Sequence, residues 1–387
     1  MQRSTRGRAG MAAVAIVVAI TALGACGVDP GGDPAPALGS GEWAFTGGQC
    51  PEVGCGANSP QVDNLLEFHE LSLTSGGQNI PTTVPNTQGM AIVVAANHRA
   101  QIIQNGMSYD LSVSGGLISG GCAAPCVGLA GPALKGATIP LTVNGKLSYV
   151  ISIDDVRTMS FFRGGGTTEA YSLTWRSLST PTGGMLCNNV PLLEDEIKQH
   201  AGDDNYIQSE LMGMQPWETV VFEGDKIDGV HKTMSDGFDD NWFNIGCAAH
   251  LLAKLRLTRN TVHGQAPLTG GVAWQHRQAT MKLLAADYCG GGAPLTVSGQ
   301  KLVWEGDLMN YYTKPRLLEA RWSEQGATCI VAPRMLFPTS ALGASTFPDI
   351  WSAISDACKD AGKPIPPKCA DTNPASVGAS IRMSADP

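Results

Sequence analysis

The sequence predicts an α+β protein, with an antiparallel β-rich amino-terminal domain over residues 42–186 and a disulfide-stapled α+β domain over 187–369. Three observations carry this. From Glu42 to Leu186, short apolar segments alternate or run for strand lengths between glycine, proline and asparagine breaks. After Cys187 the apolar spacing lengthens toward a helical period. Cysteines are frequent and follow an export-type leader. With 47 glycines and 16% charged residues, the chain of 387 residues favours turns and strands and is long enough for two domains.

The leader comes first. Arg3, Arg6 and Arg8 precede an apolar run from Met11 to Leu23, and Leu23-Gly24-Ala25-Cys26 follows. The run is short of the roughly 20 apolar residues of a spanning helix, and residues 1–25 read as a secretion signal. The end resembles a bacterial lipobox, which makes Cys26 the lipidated amino terminus of the mature chain; the plainer alternative is an ordinary signal peptide with a chance cysteine. Gly27 stands where an aspartate commonly signals inner-membrane retention, so the outer membrane is the expected destination. A membrane partner is thus expected through the covalent lipid on Cys26. Residues 26–41, rich in Gly, Pro and Ala, read as a flexible tether.

In the β-rich half, QGMAIVVAA, AQIIQ, YDLSVSG, ATIPLTV, KLSYVISI and EAYSLTW are strand candidates, and Asn105-Gly106 and Asn144-Gly145 suit hairpin turns. Sandwich and barrel both remain open. Beyond Cys187, PLLEDEIKQHAGDD reads as a short helix and DNWFNIGCAAHLLAKLRLT as a stronger one, capped by Asp240 or Asn241. VAWQHRQATMKLLAADYC is another helix, stopped by Gly290. PLTVSGQKLVWEGD follows as a hairpin, RLLEARWSEQGATCIVAPRM as mixed structure and FPDIWSAISDAC as a final helix, with 370–387 as a disordered tail.

The eleven cysteines, less Cys26, leave an even set outside the cytoplasm. Spacing suggests Cys50 with Cys55, Cys122 with Cys126, and Cys358 with Cys369. Cys187, Cys247, Cys289 and Cys329 then pair among themselves or stay free. The short gaps lack the paired CxxC spacing of structural zinc, so disulfides are the preferred reading.

Several residue groups in the second half resemble the ADYC-domain family of bacterial lipoproteins and secreted proteins, whose function is unknown. They are Gly246-Cys247-Ala248 with Ala253-Lys254, His276 ahead of Met281, Ala286-Asp287-Tyr288-Cys289-Gly290, Glu319-Ala320-x-Trp322, Gly326-Ala327-x-Cys329 and Pro333-Arg334. The resemblance covers about 187–340. A stretch upstream, Gly54-Cys55-Gly56-Ala57-Asn58-Ser59-Pro60 with Phe68-His69-Glu70-Leu71, is similar to the leader regions of the same proteins. Family members often carry two further cysteines, where this chain has Leu255 and Thr280. Their joint absence implies, through the resemblance, one lost crosslink between two antiparallel helices, Cys247 joined to Cys289, and Cys187 left to Cys329.

The chemistry carried by motifs is sparse. No GxSxG elbow, HExxH pair, Walker loop or dinucleotide GxGxxG occurs. Acidic residues outnumber basic ones 34 to 26, the net charge is −8, and no basic patch carries interleaved aromatics, so nucleic acid is excluded as a partner. His250, His263 and His276 lie near Cys289 in sequence. A thiol at a helix carboxy-terminus, however, has its pKa raised, the wrong direction for a nucleophile. Asp287 at the same helix end opposes the dipole and calls for a partner, Arg321, Arg334 or an amide of the glycine turn. Asp287, His276 and Arg334 form the expected ligand cluster. Asp236, Asp239 and Asp240 could hold calcium through oxygen, although helix capping explains most of that cluster. No catalytic residue and no cofactor beyond the lipid are expected. The function expected is a non-catalytic binding or structural module of the cell envelope with a protein or glycan partner; the alternative is an extracytoplasmic hydrolase with a dispersed site.

Overall fold

A computed structural model describes residues 59, 61–62, 68–75, 77, 80–162, 166–187, 211–235, 239–262, 274–296, 302–305, 319–333, 350–370 and 381–385, the segments 302–305 and 381–385 as backbone only. The leader, the tether, Cys26, Cys50, Cys55, Asp236, Arg334 and the helix expected over 191–204 lie outside the described residues.

The protein is strand-rich and built on one large antiparallel sheet of twelve strands. These are β1 (Glu70–Ser72), β2 (Met90–Ile92), β3 (Gln101–Gln104), β4 (Met107–Ser114), β5 (Leu117–Gly121), β6 (Leu129–Ala130), β7 (Thr138–Val143), β8 (Lys146–Ser160), β9 (Thr167–Ser177), β10 (Gly183–Met185), β11 (Glu218–Gly224) and β14 (Asp239–Cys247). Their order is β1-β14-β11-β9-β8-β7-β3-β4-β5-β6, with β10 beside β9 and β2 beside β7. The two Asn-Gly turns close β3 on β4 and β7 on β8, with positive φ at both residues: 51° and 76° at Asn105 and Gly106, 50° and 76° at Asn144 and Gly145. That pair of left-handed residues matches the twist of the flanking strands. The sheet face toward the main core carries Leu71, Ile92, Ile102, Ile139, Leu141, Ile151, Ile153, Tyr171, Leu173 and Phe243.

The boundary expected at 186/187 falls inside this sheet. β11 pairs with β9 through Glu218↔Ser172 and Thr219↔Tyr171, and β14 continues the order outward to β1. The smaller pieces are a β12 (Ile227–Asp228) and β13 (Thr233–Met234) ribbon, helices α1 (Leu251–Leu257), α2 (Trp274–Ala285) and α3 (Ile350–Asp360), and a four-stranded sheet. That sheet runs β15 (Leu302–Glu305), β18 (Ile381–Ala385), β16 (Ala320–Ser323) and β17 (Gly326–Ile330). Three expectations are corrected. β15 pairs with β18 rather than closing a hairpin of its own, and part of the expected disordered tail is the strand between β15 and β16.

The third correction is the helix expected from Asp240. Asp239–Cys247 is a strand, and the helix starts only at Leu251 after Ala249 turns at φ 66°. From Trp242 to Cys247 every residue is buried, because β14 is flanked by β1 and β11 and covered on both faces. Burial on both faces removes the period-two alternation, and a short apolar run then reads as helix or strand alike. Gly246 lets α1 lie against this strand: a Cβ there would sit 2.6 Å from the Ala253 amide nitrogen. Gly246→Ala should therefore destabilise the protein by about 2 kcal/mol through overpacking. A urea midpoint within error of the wild type would show that α1 has room to move away.

Candidate functional site

The second core contains Leu251, Leu252, Leu255, Met281, Leu284, Tyr288, Trp322, Ile330, Ile354 and the Cys289–Cys358 pair. The ADYC stretch lies at its centre, just past the end of α2. Ala286 turns the chain out of the helix at φ 52°, and the next four residues tie it to α2, to the β16–β17 hairpin and to α3.

Asp287 is completely buried. Its Oδ2 accepts from Lys282 Nζ at 2.7 Å and from the Gly292 amide at 2.8 Å, and Oδ1 takes no hydrogen bond. Lys282 also donates to the carbonyls of His231 at 2.8 Å and Gly290 at 3.3 Å. Burial pulls the Lys282 ammonium below its usual pKa, and the adjacent Asp287 carboxylate opposes that shift. The partner sought for Asp287 is thus a lysine one helical turn upstream plus an amide of the glycine turn, not Arg321. Lys282 and Asp287 meet because Ala286 reverses the chain and brings residue 287 back over the last turn of α2.

Tyr288 donates its hydroxyl to Glu319, its carbonyl accepts from the Ala327 amide at 2.9 Å, and its ring lies 5.1 Å from that of Trp322. Cys289 is bonded to Cys358. Gly290, at φ 65°, passes so close to β16–β17 that a Cβ would meet the Gln325 carbonyl. On the other side of α2, Arg277 holds Asp225 in a two-pronged pair at 2.7 and 2.5 Å, and Asn244 donates to the Asp225 carbonyl at 2.7 Å. Gln278 accepts from the Met234 amide at 2.6 Å and donates to the Lys232 carbonyl at 2.9 Å.

The expected ligand cluster does not assemble among the described residues. His276 is half-buried near the start of α2, where its carbonyl accepts from Thr280 Oγ1 at 2.9 Å. About 14 Å of helix, at ~1.5 Å per residue, separates it from the Asp287 end. Asp239 does not cap a helix: its Oδ1 accepts from the Asn241 amide at 2.9 Å and side chain at 2.8 Å at the start of β14. Among the described residues, no three His, Cys, Asp or Glu side chains are placed to share a metal ion.

The expected Cys122–Cys126 pair is present, and the other pairings among the described cysteines are corrected. Cys122 bonds Cys126, Cys187 bonds Cys247, Cys289 bonds Cys358 and Cys329 bonds Cys369. Cys247 ends a strand that faces the main core, whereas Cys289 belongs to the second core, so the two cannot meet. Cys358 lies one turn after Ile354 on the buried side of α3, directly over Cys289. The proline-rich segment after α3 runs beside β17, with Cys369 donating to the Ile330 carbonyl at 3.1 Å, and this sets Cys369 against Cys329.

Sequence reasoning missed Arg277–Asp225 and Lys282, and it named His250 without the burial that sets its chemistry. His250 is buried at the turn into α1, and burial first, then the Lys254 charge, pushes its imidazole down to about 4. The unfolded imidazole takes its proton near 6.5 and the folded one only near 4, so between those values the unfolded state binds more protons. Stability should fall as pH drops through that window, by on the order of 3 kcal/mol from this group. His250→Gln should flatten that part of the pH profile in urea unfolding; an unchanged slope would remove His250 as its source.

The family model described as the ADYC domain matches residues 131–336. The match begins well before Cys187, inside the strands of the large sheet. No curated protein and no solved structure matches the chain.

Proposed function

The chain belongs to the ADYC-domain family, and from that premise we propose that it is an exported lipoprotein of the bacterial cell envelope, acting as a non-catalytic binding or structural module. The observation that carries the reading is the set of four disulfides, which join eight of the described cysteines. Bonds of this kind persist in oxidising compartments and are rare in the cytoplasm. The leader agrees with it: three arginines, an apolar run and Leu23-Gly24-Ala25-Cys26.

The non-catalytic part is supported by how the ADYC stretch is used. Asp287 and Lys282 neutralise each other, Tyr288 is bonded to Glu319, and Cys289 is a disulfide half. Within the ADYC stretch, the Asp287, Tyr288 and Cys289 side chains are turned inward to join a helix, a glycine turn or a strand. Retention at the outer membrane through the lipid, and an envelope protein or glycan as partner, complete the proposal.

Metabolic labelling tests it. In a bacterial host given radiolabelled palmitate, the wild-type chain should carry label and sediment with the envelope. Cys26→Ala should carry none. An unlabelled chain recovered from the cytosol with its cysteines reduced would overturn the reading.

A further inference from the structure

Four disulfides occur among the described residues, and one differs from the others in having an exposed cysteine and the shortest loop. Cys187, Cys247, Cys289, Cys358 and Cys369 are 7% exposed or less, and Cys329 is half-buried. Cys126 is exposed, Cys122 is half-buried against the main core, and Val127 beside them is 84% exposed. The residues between the two cysteines, Ala123, Ala124 and Pro125, are exposed and carry no charge to repel an incoming thiolate.

Strand pairing holds this loop at its base alongside the bond: β5 meets β6 through Ser119↔Ala130 and Gly120↔Leu129, and the Cys126 amide donates to the Ala123 carbonyl at 3.1 Å. The bond also closes the shortest loop of the four, a separation of 4 residues against 40, 60 and 69, and so restrains the unfolded chain least. Accessibility is greatest where the structural need is smallest.

We propose that Cys122–Cys126 is a thiol–disulfide exchange site whose substrate is a dithiol protein or small thiol outside the chain. A partner thiolate attacks the exposed Cys126 Sγ along the sulfur–sulfur axis, the bond to Cys122 breaks, and Cys122 leaves as a thiolate that takes a proton. The partner's second thiolate, or for a small thiol the thiolate of a second molecule, then attacks the partner sulfur of the mixed disulfide and releases Cys126, which is protonated in turn. Two electrons and two protons pass from the partner, oxidised to a disulfide, to the cysteine pair, reduced to a dithiol.

The test uses the full chain with graded dithiothreitol, alkylation and peptide mass mapping. Cys122 and Cys126 are alkylated first, while the six other described cysteines stay oxidised and the near-ultraviolet circular dichroism is unchanged. Polarity is read with oxidised glutathione as the probe: Cys126 in Cys122→Ser should form the mixed disulfide roughly tenfold faster than Cys122 in Cys126→Ser, because the exposed thiolate reaches the glutathione sulfur more readily than the half-buried one. Reduction of another pair at the same or lower dithiothreitol, or equal rates in the two variants, overturns the proposal.

Discussion

Replacing Asp287 with alanine should lower stability by about 4 kcal/mol, the scale at which one partner is removed from a buried ion pair and the other charge is left uncompensated. Both side chains are at most 1% exposed, so no solvent reaches the stranded ammonium of Lys282. The Gly292 amide loses its acceptor in the same step, which loosens the glycine turn against Val230 and His231. The response to pH gives a second, independent sign. Without Asp287, the main influence that holds the Lys282 pKa up is gone, and burial pushes it further below 10.5. The unfolded chain then binds the proton more tightly than the folded one, and the stability of Asp287→Ala should rise with pH up to that value. A Lys282→Met/Asp287→Leu double variant should recover part of the loss, since neither charge remains to be desolvated. It should not recover all, because the His231 carbonyl loses its donor and the Gly292 amide its acceptor. Urea unfolding of the wild type, Lys282→Met, Asp287→Leu and the double variant forms the cycle; simple additivity of the two single losses would sink the claim that these side chains act as a pair.

What the sequence disclosed follows the range of the interactions involved. The Asn-Gly turns, the strand candidates around them, α2 and α3 are set by neighbours along the chain, and periodicity and turn chemistry reach that far. Family membership was legible in the Asp287-Tyr288-Cys289 block. The position of Asp287 at a helix end also announced the need for a partner, because the local dipole disfavours an acid there. The partner itself was not legible. Nothing local to Lys282 marks it as buried; the His231 and Gly290 carbonyls that it meets come from outside α2. Arg277 and Asp225 are fifty-two residues apart in sequence, and nothing local to either says that they meet. β14 failed for a related reason: its flanking strands arrive from residues 70–72 and 218–224, and their cover erases the alternation that marks a half-exposed strand.

Removing the Cys289–Cys358 bond as Cys289→Ala/Cys358→Ala should also lower stability by about 4 kcal/mol, because closing so long a loop takes much entropy from the unfolded chain. The same treatment of Cys122 and Cys126 should cost about half of that by the same relation. The contrast matters more than either value. Cys358 sits beside Ile354 on the one buried stripe of α3, and the bond to Cys289 fastens that helix onto the second core next to Tyr288 and Trp322. Spacing alone favoured Cys358 with Cys369, eleven residues on, since near cysteines often meet. α3 prevents it: Cys358 faces inward from a helix, while Cys369 follows an extended proline-rich run that leads to Cys329. Peptide mapping without reduction decides between the two arrangements. Fragments joining 289 to 358 and 329 to 369 are expected; a fragment closed between 358 and 369 would show that the helix does not hold its cysteine against the core, and the large stability loss should then vanish with it.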